Sequence, residues 1–240
     1  MNNLSFYCPV RNSALDYAIK SLPVLPAPTE RITHLLLPIP SFGADGTIKG
    51  GGDVGAILST LPQDITIIGG NLRHPALTGY KTLDLLQDAV YVSENADITA
   101  RCALRVLMSC LPCTLKNCPV LVIGWGRIGK CLARLLREND AKVTVCARKE
   151  KDRAMLGALG YRTQEVPDAA GFRVVINTAP AVVLSQCPAG ILKMELSSVM
   201  GMPGEGVLWA RGLPAIYAPE SSGKLIAETV SRLLKKEEPL

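Results

Sequence analysis

The chain has 240 residues, 48% hydrophobic and 20% charged, with a formal net charge of +5. This is an ordinary globular composition, long enough for two small domains or one large one. Its basic residues are dispersed, which argues against a nucleic-acid arm or a membrane-surface patch, and no apolar run approaches the roughly 20 residues that span a bilayer.

Residues 4–8 are expected as a first strand and 13–20 as a short helix. Pro23, Pro26 and Pro28 make 21–30 an extended connector. Residues 32–37 read as an apolar strand in which His34 is a core histidine rather than a catalytic one. The loop that follows, Pro38-Ile39-Pro40-Ser41-Phe42-Gly43-Ala44-Asp45-Gly46, leaves the carboxyl end of that strand, where parallel sheets bind ligands. Pro40 and Ser41 are therefore assigned to a substrate wall. The alternative is a plain Pro/Gly-rich connection. Gly50-Gly51-Gly52 looks like a phosphate cradle, but no strand precedes it, and Asp53 is better read as the N-cap of a helix over 54–60.

Residues 65–68 are the next strand, and His74 is expected exposed in a loop. A short helix over 82–87 and a strand over 89–92 complete a small parallel α/β domain. Ile98, Leu104, Leu107, Met108 and Leu111 recur at near-helical spacing and predict a long connecting helix from residue 95. Cys110-Leu111-Pro112-Cys113 is formally C-x-x-C, but no second pair or nearby histidine completes a metal site, so no metal is expected. The 8 cysteines read as reduced thiols of a cytoplasmic protein. The N-terminus lacks a basic segment followed by an apolar one, so no signal peptide is expected.

Val120-Leu121-Val122-Ile123 has the continuous apolar character of a buried parallel strand. Gly124-Trp125-Gly126-Arg127-Ile128-Gly129 follows at once and is G-x-G-x-x-G. Ile128, Cys131, Leu132, Leu135 and Leu136 then mark one helix face, and 143–147 reads as a second strand. Glycines between a strand and a helix of a β-α-β unit are placed as a Rossmann-type dinucleotide site requires. The alternative is a tight turn that binds nothing. At the second strand's end, where a carboxylate would hold the ribose of NAD, stand Ala147, Arg148 and Lys149, with Arg153 beyond. That pattern favours the 2′-phosphate of NADP over NAD. Against this, Glu150 and Asp152 neutralise Arg148 and Lys149 if these are merely solvated charges.

A helix over 150–159 ends at Gly160, and 173–177 is a strand. The loop Asn177-Thr178-Ala179-Pro180 leaves the same sheet edge as the glycines and is assigned to the cofactor site. Residues 194–197 and 207–210 are the last strands. Leu225, Ile226, Thr229, Val230, Leu233 and Leu234 mark a closing helix, ended by the charged stretch 235–238. Ser41, Thr178 and Ser198 offer hydroxyls to a substrate, and no side chain is assigned as catalytic. The expected organisation is α/β in two domains: a small N-terminal parallel domain at 1–94, a connecting helix at 95–118 and a Rossmann-type NAD(P)-binding domain at 119–240.

The fingerprint, Ala147-Arg148-Lys149, the Asn177-Thr178-Ala179-Pro180 loop and Pro219-Glu220-Ser221-Ser222-Gly223 together resemble the dipicolinate synthase A-subunit family. The resemblance implies an NAD(P)-linked oxidation of a dihydrodipicolinate-type precursor, a small heterocyclic dicarboxylate. It also implies a partner, a flavoprotein-like B subunit, and the mother cell of a spore former as setting. The first domain's opening β-α unit looks reduced. A nucleotide-binding subunit or sensor without activity of its own is the second reading. A shikimate-dehydrogenase-type enzyme using Lys49 with Asp45 or Asp53 is the third. A homo-oligomer is compatible with all of them.

Overall fold

The apolar runs of the sequence pair into two parallel sheets. The structure is a computed structural model and describes residues 4–202 and 204–237. Pro203, and Glu238 of the charged stretch 235–238, lie outside them. The chain divides into two compact units, 1–95 with 214–240, and 96–213.

In the first unit, β1 (Phe6–Tyr7), β2 (Val24–Leu25), β3 (His34–Leu36), β4 (Thr66–Gly69) and β5 (Lys81–Asp84) form one sheet in the order β2-β1-β3-β4-β5. All neighbouring pairs are parallel. The order is that of flavodoxin-like doubly wound sheets, with the direction of winding reversing between β1 and β3. The opening β-α unit expected to be reduced is short but complete: β1, α1 (Ser13–Ala18, capped by Asn12) and β2. β2 itself lies inside the stretch expected to be only a connector. Leu35, Leu37, Ile65 and Ile67 are buried to within 1% and centre the core, with Ile48, Val54 and Leu58 packed on them. Each such side chain contributes about 1.5–3 kcal/mol by burial. Asp53 does cap a helix, α2 (Val54–Leu58), its Oδ1 accepting from Ala56 N at 2.7 Å.

Three expectations in this unit are corrected. Residues 82–87 are not a helix: β5 runs to Asp84 and a single 3-10 turn follows, Leu85–Gln87. Residues 89–92 are not a strand but the first turn of α3 (Ala89–Cys110), which Asp88 starts by accepting from Tyr91 N at 2.7 Å. His74 is half-buried rather than exposed. Its Nδ1 accepts from Ala76 N at 3.2 Å, and its ring stacks on Phe42 with centroids 4.7 Å apart.

The second unit holds β6 (Pro119–Ile123), α4 (Arg127–Glu138), β7 (Lys142–Cys146), α5 (Glu150–Ala158), β8 (Arg162–Gln164), β9 (Val174–Asn177), β10 (Leu192–Glu195) and β11 (Val207–Trp209). The order is β11-β10-β9-β6-β7-β8, all parallel. Counted from β6, this is 3-2-1-4-5-6 read from the β8 edge, the Rossmann order. α4 buries Leu132, Ala133, Leu135 and Leu136.

The expected domain boundary at 119–240 needs one correction. The closing helix, which follows the short α6 (Leu213–Tyr217), is α7 (Pro219–Glu237), and it belongs with the first unit, where it packs on α1. A Cβ on Gly223 would overlap Ala14 O and sit 2.5 Å from the Tyr17 Cβ, so a side chain there would hold the two helices apart. Arg232 on α7 ties in Asp88, Nη2 to Oδ1 at 2.6 Å.

Candidate dinucleotide site

β6 and β9 are neighbours, with Ile123 opposite Asn177, so the turns that leave them open at the sheet's switch point. Gly124 takes φ +104°, and a Cβ there would lie 2.6 Å from Thr178 Oγ1. Gly129 is pressed against Gly124 O, which a Cβ would overlap. Gly126 differs from both. It is the N-cap of α4 with extended backbone, φ −79° and ψ −173°, and a Cβ there would meet no atom within 4 Å. It brings no side chain to the first-turn N–H groups of Arg127, Ile128 and Gly129. Those groups and the helix dipole favour an anion. The bare N-cap at the mouth of a cleft, where a side chain would project into open space, fits a pyrophosphate.

The cleft is about 430 Å³. The glycine turn forms its floor. Ala147, Arg148, Lys149 and Asp152 border it at the end of β7, and residues 178–183 border it after β9. Arg148 and Lys149 are exposed. Trp125 stands at the turn with its ring edge-on to Tyr161, centroids 5.8 Å apart. Arg153 is drawn inward instead: Nη1 donates to Ala147 O at 3.0 Å and Arg148 O at 2.7 Å, and Nη2 pairs with Glu165 at 3.1 Å. It shapes the strand end that presents Arg148. Thr178 Oγ1 donates to Ile123 O at 3.0 Å, locking the loop to the end of β6. Ala179 is half-buried and Pro180 exposed along the wall.

Two assigned residues have other work. The Asn177 side chain is fully buried. Its Oδ1 accepts from Ala179 N at 2.9 Å, and its Nδ2 donates to Ala179 O at 3.0 Å and to both oxygens of Glu195. It holds the loop and does not line the cleft. Ser41 is fully buried in the first unit; its Oγ donates to Pro38 O at 2.8 Å and accepts from Gly70 N at 3.0 Å. It fastens the loop after β3 and is corrected as a substrate hydroxyl. Pro40 is half-buried in that loop, and Ser198 is exposed in the loop after β10.

His34 stacks on Phe6, centroids 4.9 Å apart, and its Nδ1 lies 2.7 Å from Thr33 Oγ1, as a core histidine should. Asp45 is engaged by Thr47, whose hydroxyl donates to it at 2.8 Å and holds its carboxyl below the usual range. With Asp53 spent on its cap, neither carboxylate is set up to work with Lys49. Among the described residues no group of three or more His, Cys, Asp or Glu is placed to hold a metal, and no helix is long and apolar enough to cross a membrane.

Sequence reading missed the roles of Glu195 and Gly201. The signal for Glu195 was present: a carboxylate between Met194 and Leu196 in an expected strand of the sheet must find donors if it is buried.

The topology and the glycine turn define the class, a two-unit α/β protein whose second unit has the Rossmann strand order. Within that class the chain is similar to the A subunit of dipicolinate synthase, as its motifs indicated. Over 138 residues it is 30% identical to that subunit of Bacillus subtilis (strain 168), a match covering 50% of this chain and 46% of the relative. The chain thus matches about half the length of that curated relative. Among solved structures, the dipicolinate synthase A subunit from Bacillus halodurans superposes with a TM-score of 0.84 at 20% identity, over 99% of both chains. The corresponding polypeptide of the Bacillus subtilis synthase gives 0.78 at 19% identity, over 98% of this chain and 97% of that one. D-lactate dehydrogenase from Escherichia coli shares the fold at 0.61 and 14% identity, over 98% of each chain. No family model matches.

Proposed function

We propose that this chain is a nicotinamide-dinucleotide-dependent oxidoreductase subunit that binds NADP(H) in its second unit. The observation that carries the reading is the open cradle at Gly126, between the bare N-terminus of α4 and the exposed Arg148 and Lys149. First-turn N–H groups receive the pyrophosphate, Arg148 and Lys149 receive the 2′-phosphate, and the 178–183 wall orients the other half of the molecule. When bound, the nicotinamide supplies two-electron redox chemistry.

The similarity to the dipicolinate synthase A subunit supports a dihydrodipicolinate-type substrate, oxidised to dipicolinate in the cytoplasm of a sporulating mother cell. Aromatisation of a dihydropyridine needs removal of a hydride and a proton, and the aromatic product helps drive it. The chain's task is then to orient and to exclude water rather than to provide a strong base. Within the second unit, Thr178 and Ser198 are the remaining candidates for a substrate wall.

A second reading is favoured by how many polar groups are already occupied. Both histidines, Ser41, Asp45 and Asp53 are engaged locally. On that reading the chain binds nucleotide and turns over only with a partner such as a flavoprotein-like B subunit. Titration with NADPH and NADH tests the cofactor. NADPH formation from the heterocyclic precursor, with and without the B subunit, separates the two readings. A chain that binds neither nucleotide refutes both.

A further inference from the structure

We infer that Glu195 is a positioning residue of this cleft, fastening both ends of its 178–183 wall. The inference rests on the dinucleotide reading above.

Glu195 ends β10 and is fully buried. Oε1 accepts from Asn177 Nδ2 at 2.9 Å and from Ser197 N at 3.0 Å. Oε2 accepts from Asn177 Nδ2 at 3.1 Å and from Gly201 N at 2.9 Å. Every one of these partners donates, so both oxygens act as acceptors, as in a carboxylate. Burial of such a group is tolerated because its oxygens are partnered.

The partners lead to the cleft by two routes. Asn177 exchanges hydrogen bonds with Ala179 in both directions, which sets the start of the wall. Gly201 O accepts from Val183 N at 2.8 Å and Leu184 N at 3.3 Å, which sets its end. Gly201 fits there only because it is glycine: a Cβ would overlap Ala181 O and Asn177 Nδ2. These bonds all follow β9 and β10, on the other side of β6 from Arg148, and the wall they hold meets the glycine turn at Gly124 through Thr178 and Ala179, so the influence of Glu195 falls on the half of the cleft away from Arg148.

A selective defect follows. Glu195→Gln replaces an acceptor with a donor that faces other donors, and releases the wall. Calorimetric titration with NADPH and with 2′,5′-ADP, which carries only the adenosine half and its 2′-phosphate, reads the effect. Glu195→Gln should weaken NADPH about tenfold or more, which is about 1.4 kcal/mol or more, and leave 2′,5′-ADP unchanged. Glu195→Asp keeps the acceptors and should recover part of the loss. Gly201→Ala, with Glu195 intact, should reproduce the split by pushing the wall from its other side. Hydrogen exchange over 177–184 and 196–202 should quicken in Glu195→Gln while residues 119–146 keep their protection.

Equal losses of both ligands, or unchanged NADPH affinity with unchanged exchange, overturn the assignment. If Glu195→Gln does not fold, Gly201→Ala carries the test, and failure of both to fold makes the role structural and overturns it too. If the wild type binds neither ligand, the cofactor reading is what falls. The exchange comparison then decides the fastening role by itself.

Discussion

Both units end their parallel strands in loops rich in glycine and short polar residues, yet they use those residues in opposite ways. At the carboxyl edge of the first sheet the polar groups are turned on the loops themselves. Asp84 accepts from Asn71 N and Leu72 N, both at 3.1 Å, and from Leu86 N at 2.9 Å. It steadies a turn in which Asn71 takes φ +55°. Ser41, Asp45, Asp53 and His74 are similarly engaged. At the edge of the second sheet Asn177 and Glu195 form a comparable clasp, but beside it lie a helix N-terminus without a capping side chain and two exposed cations. A polar loop becomes a binding site where donors are left over after the loop has satisfied itself.

The largest effect should come from removing that surplus. Gly126→Val puts side-chain atoms where the pyrophosphate would lie, and its extended backbone accepts valine. NADPH and NADH binding should both be lost, with far-UV circular dichroism and Tm unchanged. Gly129→Ala makes the contrast sharper. Its Cβ overlaps Gly124 O, so it should lower stability by about 1–3 kcal/mol in a denaturant melt. Binding lost without any structural cost in one variant and with a structural cost in the other would confirm that only Gly126 faces ligand.

Next in size is Arg148→Ala. A hydrogen bond to an ionised group is worth about 1.5–3 kcal/mol, so NADPH should weaken roughly 10- to 100-fold and NADH much less. Arg148→Asp should shift preference further toward NADH by repelling the 2′-phosphate. Equal losses for the two nucleotides would show that Arg148 supports the strand end instead.

In the first unit the matching change should leave binding alone. Asp84→Ala frees three backbone donors and should cost about 1–3 kcal/mol of stability, with nucleotide affinity unaltered in titration. A large affinity loss in that variant would break the contrast between the two edges.

The smallest effect concerns acid. The hydrogen bond from Arg232 holds the Asp88 carboxyl below the usual carboxylate range. A carboxyl lowered in the folded state adds stability that is present above its unfolded value, about 3.9, and is lost as pH falls through the folded one. Thermal melts at descending pH should show the wild type losing stability there. Asp88→Asn, weaker at neutral pH by about 1 kcal/mol, should decline less steeply.

The second sheet was legible because local and global signals agree: an apolar run, glycines at fixed spacing, a helical face and another strand. In the first unit they conflict. Residues 81–92 mix Leu, Val and Asp without a clear period. Tertiary packing starts α3 at Ala89 despite β-branched Val90 and Val92 in its first turns. Asp84 and Asp88, the caps that end one element and begin the next, were readable in principle as turn chemistry. The partner of α7 was not readable. Its apolar face is plain in the sequence, but nothing local says that it belongs against α1 rather than against the sheet that precedes it. Ser41 and Asn177 were misassigned for a related reason. Polarity at a strand end is visible in a sequence, whereas the hydrogen bonds that consume it are not.

The return of α7 to α1 also sets an order of events during synthesis. The second unit, 96–213, is an unbroken stretch of chain that leaves the ribosome with all its strands in hand. The first unit is begun earlier but lacks α7 until residues 219–237 emerge, so α1 must wait with its docking face open while about two hundred residues are translated. That interval is when a nascent chain is most exposed to mispairing, and Gly223, by letting the final helix seat closely, governs how it ends.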